Sequence, residues 1–121
     1  MKHSEGFLNL VNDAKSRIRE VNVAETQQRI RDDNNVKLID VREDNEWNDA
    51  HARDAIHLGK GIIERDIETT VPDKDTELIL YCGGGYRSAL AADALQKMGY
   101  TNVFSLAGGW KAWKEAGGET E

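Results

Sequence analysis

The 121-residue chain holds one cysteine, Cys82, followed at once by Gly83, Gly84 and Gly85 and then by Tyr86, Arg87 and Ser88. A lone cysteine is commonly a small buried hydrophobe, but the neighbours of this one point to a nucleophile. Before it runs Glu77-Leu78-Ile79-Leu80-Tyr81, apolar on both faces as a strand in the middle of a parallel sheet is. After it, from Arg87 to Met98, Ala91, Ala94, Leu95 and Met98 recur at helical spacing, and Gly99 stands where a left-handed stop belongs. A run of three glycines marks backbone that bends tightly or lets a ligand approach closely. Such a loop, entering a helix N-terminus, turns unpartnered N–H groups inward as an anion nest. The nest favours thiolate over thiol and would stabilise an anionic group carried on the sulfur. Arg87 then supplies a cation at the edge of the loop, or is an ordinary surface arginine paired with a carboxylate.

Around this segment, helices alternate with strands. Phe7, Leu8, Val11, Ala14 and Ile18 predict a helix over 4–20 that packs on the domain; its mixed charges argue against a membrane-surface helix. Val21 and Val23 suggest a short strand, 24–33 a helix, 37–41 a strand and 44–47 a helical turn. A brief strand at 55–58 and a helix at 61–68 come next. A strand at 103–106 and a closing helix at 109–116 complete the chain. Alternation of this kind gives an α/β fold with a mostly parallel sheet, whose ligands bind at the carboxyl ends of the strands. That is where Cys82 falls. The expected organisation is a helical extension over 1–20, one domain over 21–117 and a tail over 118–121.

Composition narrows the chemistry. A net charge of −6 does not suit a general binder of phosphate backbones. One cysteine excludes an intramolecular disulfide and zinc sites built from several thiolates. No stretch reads as a signal peptide or a membrane span, so a cytoplasmic, reducing setting is expected, with no membrane partner. His51 and His57 lie six apart, not at the i, i+4 spacing of a helical metal pair, and no metal is expected. The glycine run lacks the endings of a Walker loop or a dinucleotide fingerprint.

Taken together, the motifs carry a resemblance. Tyr81-Cys82-Gly83-Gly84-Gly85-Tyr86-Arg87-Ser88-Ala89 resembles the active-site loop of rhodanese-type sulfurtransferases. Leu38-Ile39-Asp40-Val41-Arg42-Glu43 is similar to that family's Asp-Val-Arg element. Gly99 to Val103 and Leu106 to Trp113 are similar to its C-terminal signature. The resemblance spans about 21–117 and implies a three-layer, five-stranded fold with the 4–20 helix outside it. It implies Cys82 as catalytic residue, a persulfide-holding loop of Gly83, Gly84, Gly85, Tyr86 and Arg87, and support from Asp40, Arg42 and Ser88. Asp40 and Arg42 read equally as an architectural buried pair. Two departures stand out. Ala50-His51-Ala52-Arg53-Asp54-Ala55 replaces a Gly-His-Ile-Pro-Gly-Ala pattern, which leaves the local loop path open, and uncharged Gly83 stands where thiosulfate-favouring members often carry a basic residue.

The implied activity is transfer of a sulfane sulfur from thiosulfate, a persulfide or a polysulfide, through a Cys82 persulfide, to a thiol, cyanide or a protein acceptor. It needs no cofactor and no general base. Two rivals remain. A carrier or partner-binding module would lack free turnover. A phosphatase or arsenate reductase would wrap a tetrahedral anion, but with five residues between cysteine and arginine; here there are four.

Overall fold

The computed structural model describes residues 3–121; the first two positions of the predicted 1–20 extension lie outside them. Eleven elements follow in order: α1 (Glu5–Lys15), β1 (Arg19–Val21), α2 (Val23–Asp32), β2 (Lys37–Asp40), α3 (Asp44–Asp49), β3 (Ile56–His57), α4 (Ile63–Thr70), β4 (Leu78–Tyr81), α5 (Tyr86–Lys97), β5 (Val103–Leu106) and α6 (Gly109–Glu115). The five strands form one sheet in the order β1-β5-β4-β2-β3, and every pairing is parallel.

The all-apolar β4 lies at the centre and is buried throughout. Successive side chains point to opposite faces. Leu78 and Leu80 therefore join Ile63 and Ile67 of α4 and Leu95 of α5, whereas Ile79 and Tyr81 join Val23 of α2 and Trp113 of α6. The result is the expected three-layer α/β fold. α1 adds a further layer by packing on α5, where Val11 and Ala14 are buried and the Arg17 guanidinium holds both carboxylate oxygens of Asp93 at 3.0 and 2.7 Å.

Several element boundaries depart from the sequence reading. The first helix ends at Lys15, because Arg19, Glu20 and Val21 are drawn into register with Phe104, Ser105 and Leu106. Val23 opens α2 instead of extending a strand. A capping box explains this: the Glu25 N–H donates to Asn22 Oδ1 at 2.8 Å, and the Asn22 N–H donates to Glu25 Oε1 at 3.0 Å. The last four residues are fastened down. Trp113 Nε1 donates to the Glu119 carbonyl, and main-chain bonds between His51 and Glu121 flank a bridge from Ala52 to Thr120.

That bridge fixes the segment that departs from the family pattern. Asp54, standing where the pattern has glycine, adopts φ 65, and its N–H donates to Glu121 Oε1 at 2.7 Å. Asp tolerates the left-handed region better than most residues. We expect Asp54→Gly to hold or raise stability, and Asp54→Val to lower it by about 1–3 kcal/mol in urea unfolding.

Candidate active site

The site begins where β4 ends. Cys82 is 1% exposed, and Gly84 is the exposed apex of the loop that follows. Gly85 takes φ 98 and acts as the N-cap of α5, so the helix opens at Tyr86, one residue before the sequence reading placed it. In that conformation the Gly85 N–H donates to Cys82 Sγ at 3.1 Å. It is one main-chain donor at the sulfur, where the sequence reading expected a nest of several.

A second glycine turn holds the first. Gly108 and Gly109 open α6 with φ 77 and φ 52. The first N–H groups of α6 find their partners in the Cys82 loop: Trp110 donates to the Cys82 carbonyl at 2.7 Å and Lys111 to the Gly83 carbonyl at 3.2 Å. Closeness is the condition for both bonds. A Cβ on Gly109 would run into the Cys82 carbonyl, and one on Gly85 would sit 3.3 Å from the Gly108 nitrogen.

Beneath the sulfur lies a pair of hydroxyls. Cys82 Sγ is 3.5 Å from Ser88 Oγ, which is 2.8 Å from Ser105 Oγ, and both serines are fully buried. Either hydroxyl can donate to the other. A protonated thiol can therefore donate to Ser88, and a thiolate can accept from it, once the hydroxyls rotate. Ser105 was missed in the sequence; its signal is a hydroxyl inside an otherwise apolar buried strand, which demands a partner.

The two arginines behave differently. Arg87 forms a two-point ion pair with Glu46 of α3, at 2.9 Å from Nη1 and 3.3 Å from Nη2. Its Nη2 also lies 3.1 Å from where a Cβ on Gly83 would stand, so the guanidinium lies against the loop. The Arg87 pKa is raised, first by its hydrogen bond to Glu46 and further by the charges of Glu46 and Cys82. The hydrogen bond from Arg87 holds the Glu46 carboxyl below its ordinary value. The pair is thus complete above the usual carboxylate range and opens as pH falls through the lowered Glu46 value. Glu46 too was missed, since nothing in its sequence neighbourhood marks a partner 41 residues away.

Arg42 is buried, and its guanidinium grips both oxygens of buried Asp40 and the Ala50 carbonyl. Burial opposes its charge, but the hydrogen bond and charge of Asp40 outweigh that and leave its pKa raised. It reaches the loop at second hand, its guanidinium 4.6 Å from the Trp110 ring centroid. Tyr86 lies beside the apex, its ring 3.6 Å from where a Gly84 Cβ would be, with the rings of His3 and Phe7 at 4.5 and 6.2 Å. His51 and His57 stack on Trp47, at 3.4 and 4.9 Å, and each turns a ring nitrogen to a main-chain carbonyl. A wide groove elsewhere, lined by Ile30, Leu38, Ile56 and Trp113, includes no residue of the loop.

A cysteine sulfur at a strand end, facing an N–H donor and a reversible hydroxyl pair, is placed where a covalent adduct could be formed and held. Gly109→Ala is expected to push the two glycine turns apart. It should lower stability by at least about 2 kcal/mol and change the alkylation rate of Cys82, measured by urea unfolding and iodoacetamide labelling.

Comparison with known proteins then bears on what that adduct is. A family model described as the rhodanese-like domain matches residues 22–116. YtwF of Bacillus subtilis, a candidate sulfurtransferase, is 36% identical over 104 residues, covering 86% of this chain and 95% of that protein. The thiosulfate sulfurtransferase GlpE of Shewanella oneidensis is 35% identical over 81 residues, 67% of this chain and 78% of that one. Among solved structures, RPA3614 of Rhodopseudomonas palustris has a TM-score of 0.87 at 28% identity. It covers 100% of this chain with 98% of its own and is described as a protein of unknown function and possible tyrosine phosphatase.

Proposed function

Given that the chain belongs to the rhodanese-like domain family, we propose that it is a sulfurtransferase in which Cys82 accepts a sulfane sulfur and passes it on. The observation that carries this reading is the Gly85 N–H aimed at Sγ at 3.1 Å, within a loop whose apex is open to solvent. The Cys82 thiolate attacks the outer sulfur of a donor. A new S–S bond forms, the donor's own S–S bond breaks, and its electron pair leaves with sulfite or a thiolate. A second nucleophile (cyanide, a small thiol or a protein cysteine) then attacks the outer sulfur of the Cys82 persulfide and returns the thiolate.

In this scheme Gly83, Gly84 and Gly85 with Tyr86 and Arg87 cradle the persulfide. Ser88 answers the charge on the inner sulfur, while Tyr86 shapes the entrance. Asp40 and Arg42 support the floor, through Trp110. No cofactor is invoked, because the transferred sulfur supplies its own electrophile. The spacing of four residues from Cys82 to Arg87 gives a cradle one residue shorter than that of the cysteine phosphatases, which supports sulfur over phosphate as cargo. No helix among the described residues is long and apolar enough to cross a membrane. We place the activity in a reducing cytoplasm, which protects Cys82 from oxidation between turnovers.

Incubation with thiosulfate, cysteine persulfide or polysulfide should add one sulfur atom to the intact mass, localised to Cys82. Cys82→Ser should keep the fold and lose transfer by on the order of a thousandfold or more. Normal turnover by that variant, or hydrolysis of aryl phosphate faster than sulfur transfer, would overturn the assignment.

A further inference from the structure

Thiosulfate and a thiol persulfide deliver the same atom with different charge. When the Cys82 thiolate attacks the outer sulfur of thiosulfate, a monoanion meets a dianion. The new S–S bond forms, the bond to the sulfonate breaks with its electron pair on departing sulfite, and three negative charges share the transition state. Attack on a neutral alkyl persulfide forms the same bond and expels the alkyl thiolate with its electron pair, while a single negative charge is carried throughout. A cation free to face the loop helps the first reaction far more than the second.

Among the described residues, the two cationic side chains that approach this loop, those of Arg87 and Lys15, are each paired with a carboxylate. The Arg87 guanidinium at Gly83 is held at two points by Glu46. The Lys15 ammonium, 5.3 Å from the Tyr86 ring centroid, is 3.7 Å from a Glu20 oxygen. Gly83 contributes no charge, and Lys111 meets the loop through its main-chain N–H while its side chain is exposed to water. Glu43 and Asp44, exposed at the start of α3, add negative charge on the side that carries Glu46.

Resting on the reading of Cys82 as a sulfur carrier, we propose that Glu46 determines donor class: by neutralising Arg87 it makes the loop select a thiol persulfide of low charge over the thiosulfate dianion. Glu46 touches no reacting atom and acts through Arg87, so it is a specificity residue.

The test measures the single-turnover rate of sulfur loading on Cys82, read by intact mass, with thiosulfate and with cysteine persulfide as donors. The wild-type chain is expected to load faster from persulfide. Glu46→Gln, which leaves Arg87 uncompensated, should raise the thiosulfate-to-persulfide rate ratio by about tenfold. Glu46→Asp, which restores a carboxylate, should bring the ratio back toward wild type. A merely structural role would slow both donors together and leave the ratio unchanged; that result, or a wild-type preference for thiosulfate, overturns the proposal. A wild-type chain that loads from neither donor overturns the sulfur-carrier reading itself, and the inference with it.

Discussion

The arrangement of the site depends on the contact between two glycine turns. The loop after β4 turns its carbonyls outward to leave the Gly85 N–H on the sulfur, and those carbonyls need donors. They are supplied by Trp110 and Lys111 at the start of α6, which reach them because Gly109 has no side chain to hold the backbones apart. One helix start therefore faces the sulfur, while the other satisfies the backbone that does the facing. The parallel order β5-β4 brings the two turns together, since both follow the carboxyl ends of adjacent strands.

Charge is divided between two ion pairs with different duties. Asp40 and Arg42 are both buried and hydrogen-bonded to main chain as well as to each other. Removing either alone would strand a charge in the core, which fits an architectural role. Glu46 and Arg87 are about one-third exposed and lie at the mouth. Their attraction is moderated by water, so the pair sets the local potential of the site more than the stability of the fold.

What the sequence made legible is what lies on contiguous residues. Strand, glycine loop and helix around Cys82 are one stretch of chain, and local pattern sufficed to place the cysteine at a strand end. Glu46 and Ser105 come from elements 36 and 23 residues away from Cys82 in the numbering of the chain, and only the topology brings them in. The start of β1 was hidden for a related reason. The apolar spacing of α1 continues through Ile18, and it is pairing with β5 that ends the helix at Lys15. Asp54 shows the reverse case: it departs from the family pattern, yet it takes a left-handed conformation of the kind that favours glycine and that Asp tolerates better than most residues.

The paired hydroxyls under the sulfur have a consequence for the cycle as a whole. Ser88 and Ser105 can exchange donor and acceptor roles by turning two O–H bonds, with no movement of heavy atoms. In the proposed transfer, thiol and thiolate forms of Cys82 would then share one framework, with the hydroxyls answering the change of charge by proton reorientation. The pair would act as a swivelling contact in an otherwise fixed socket.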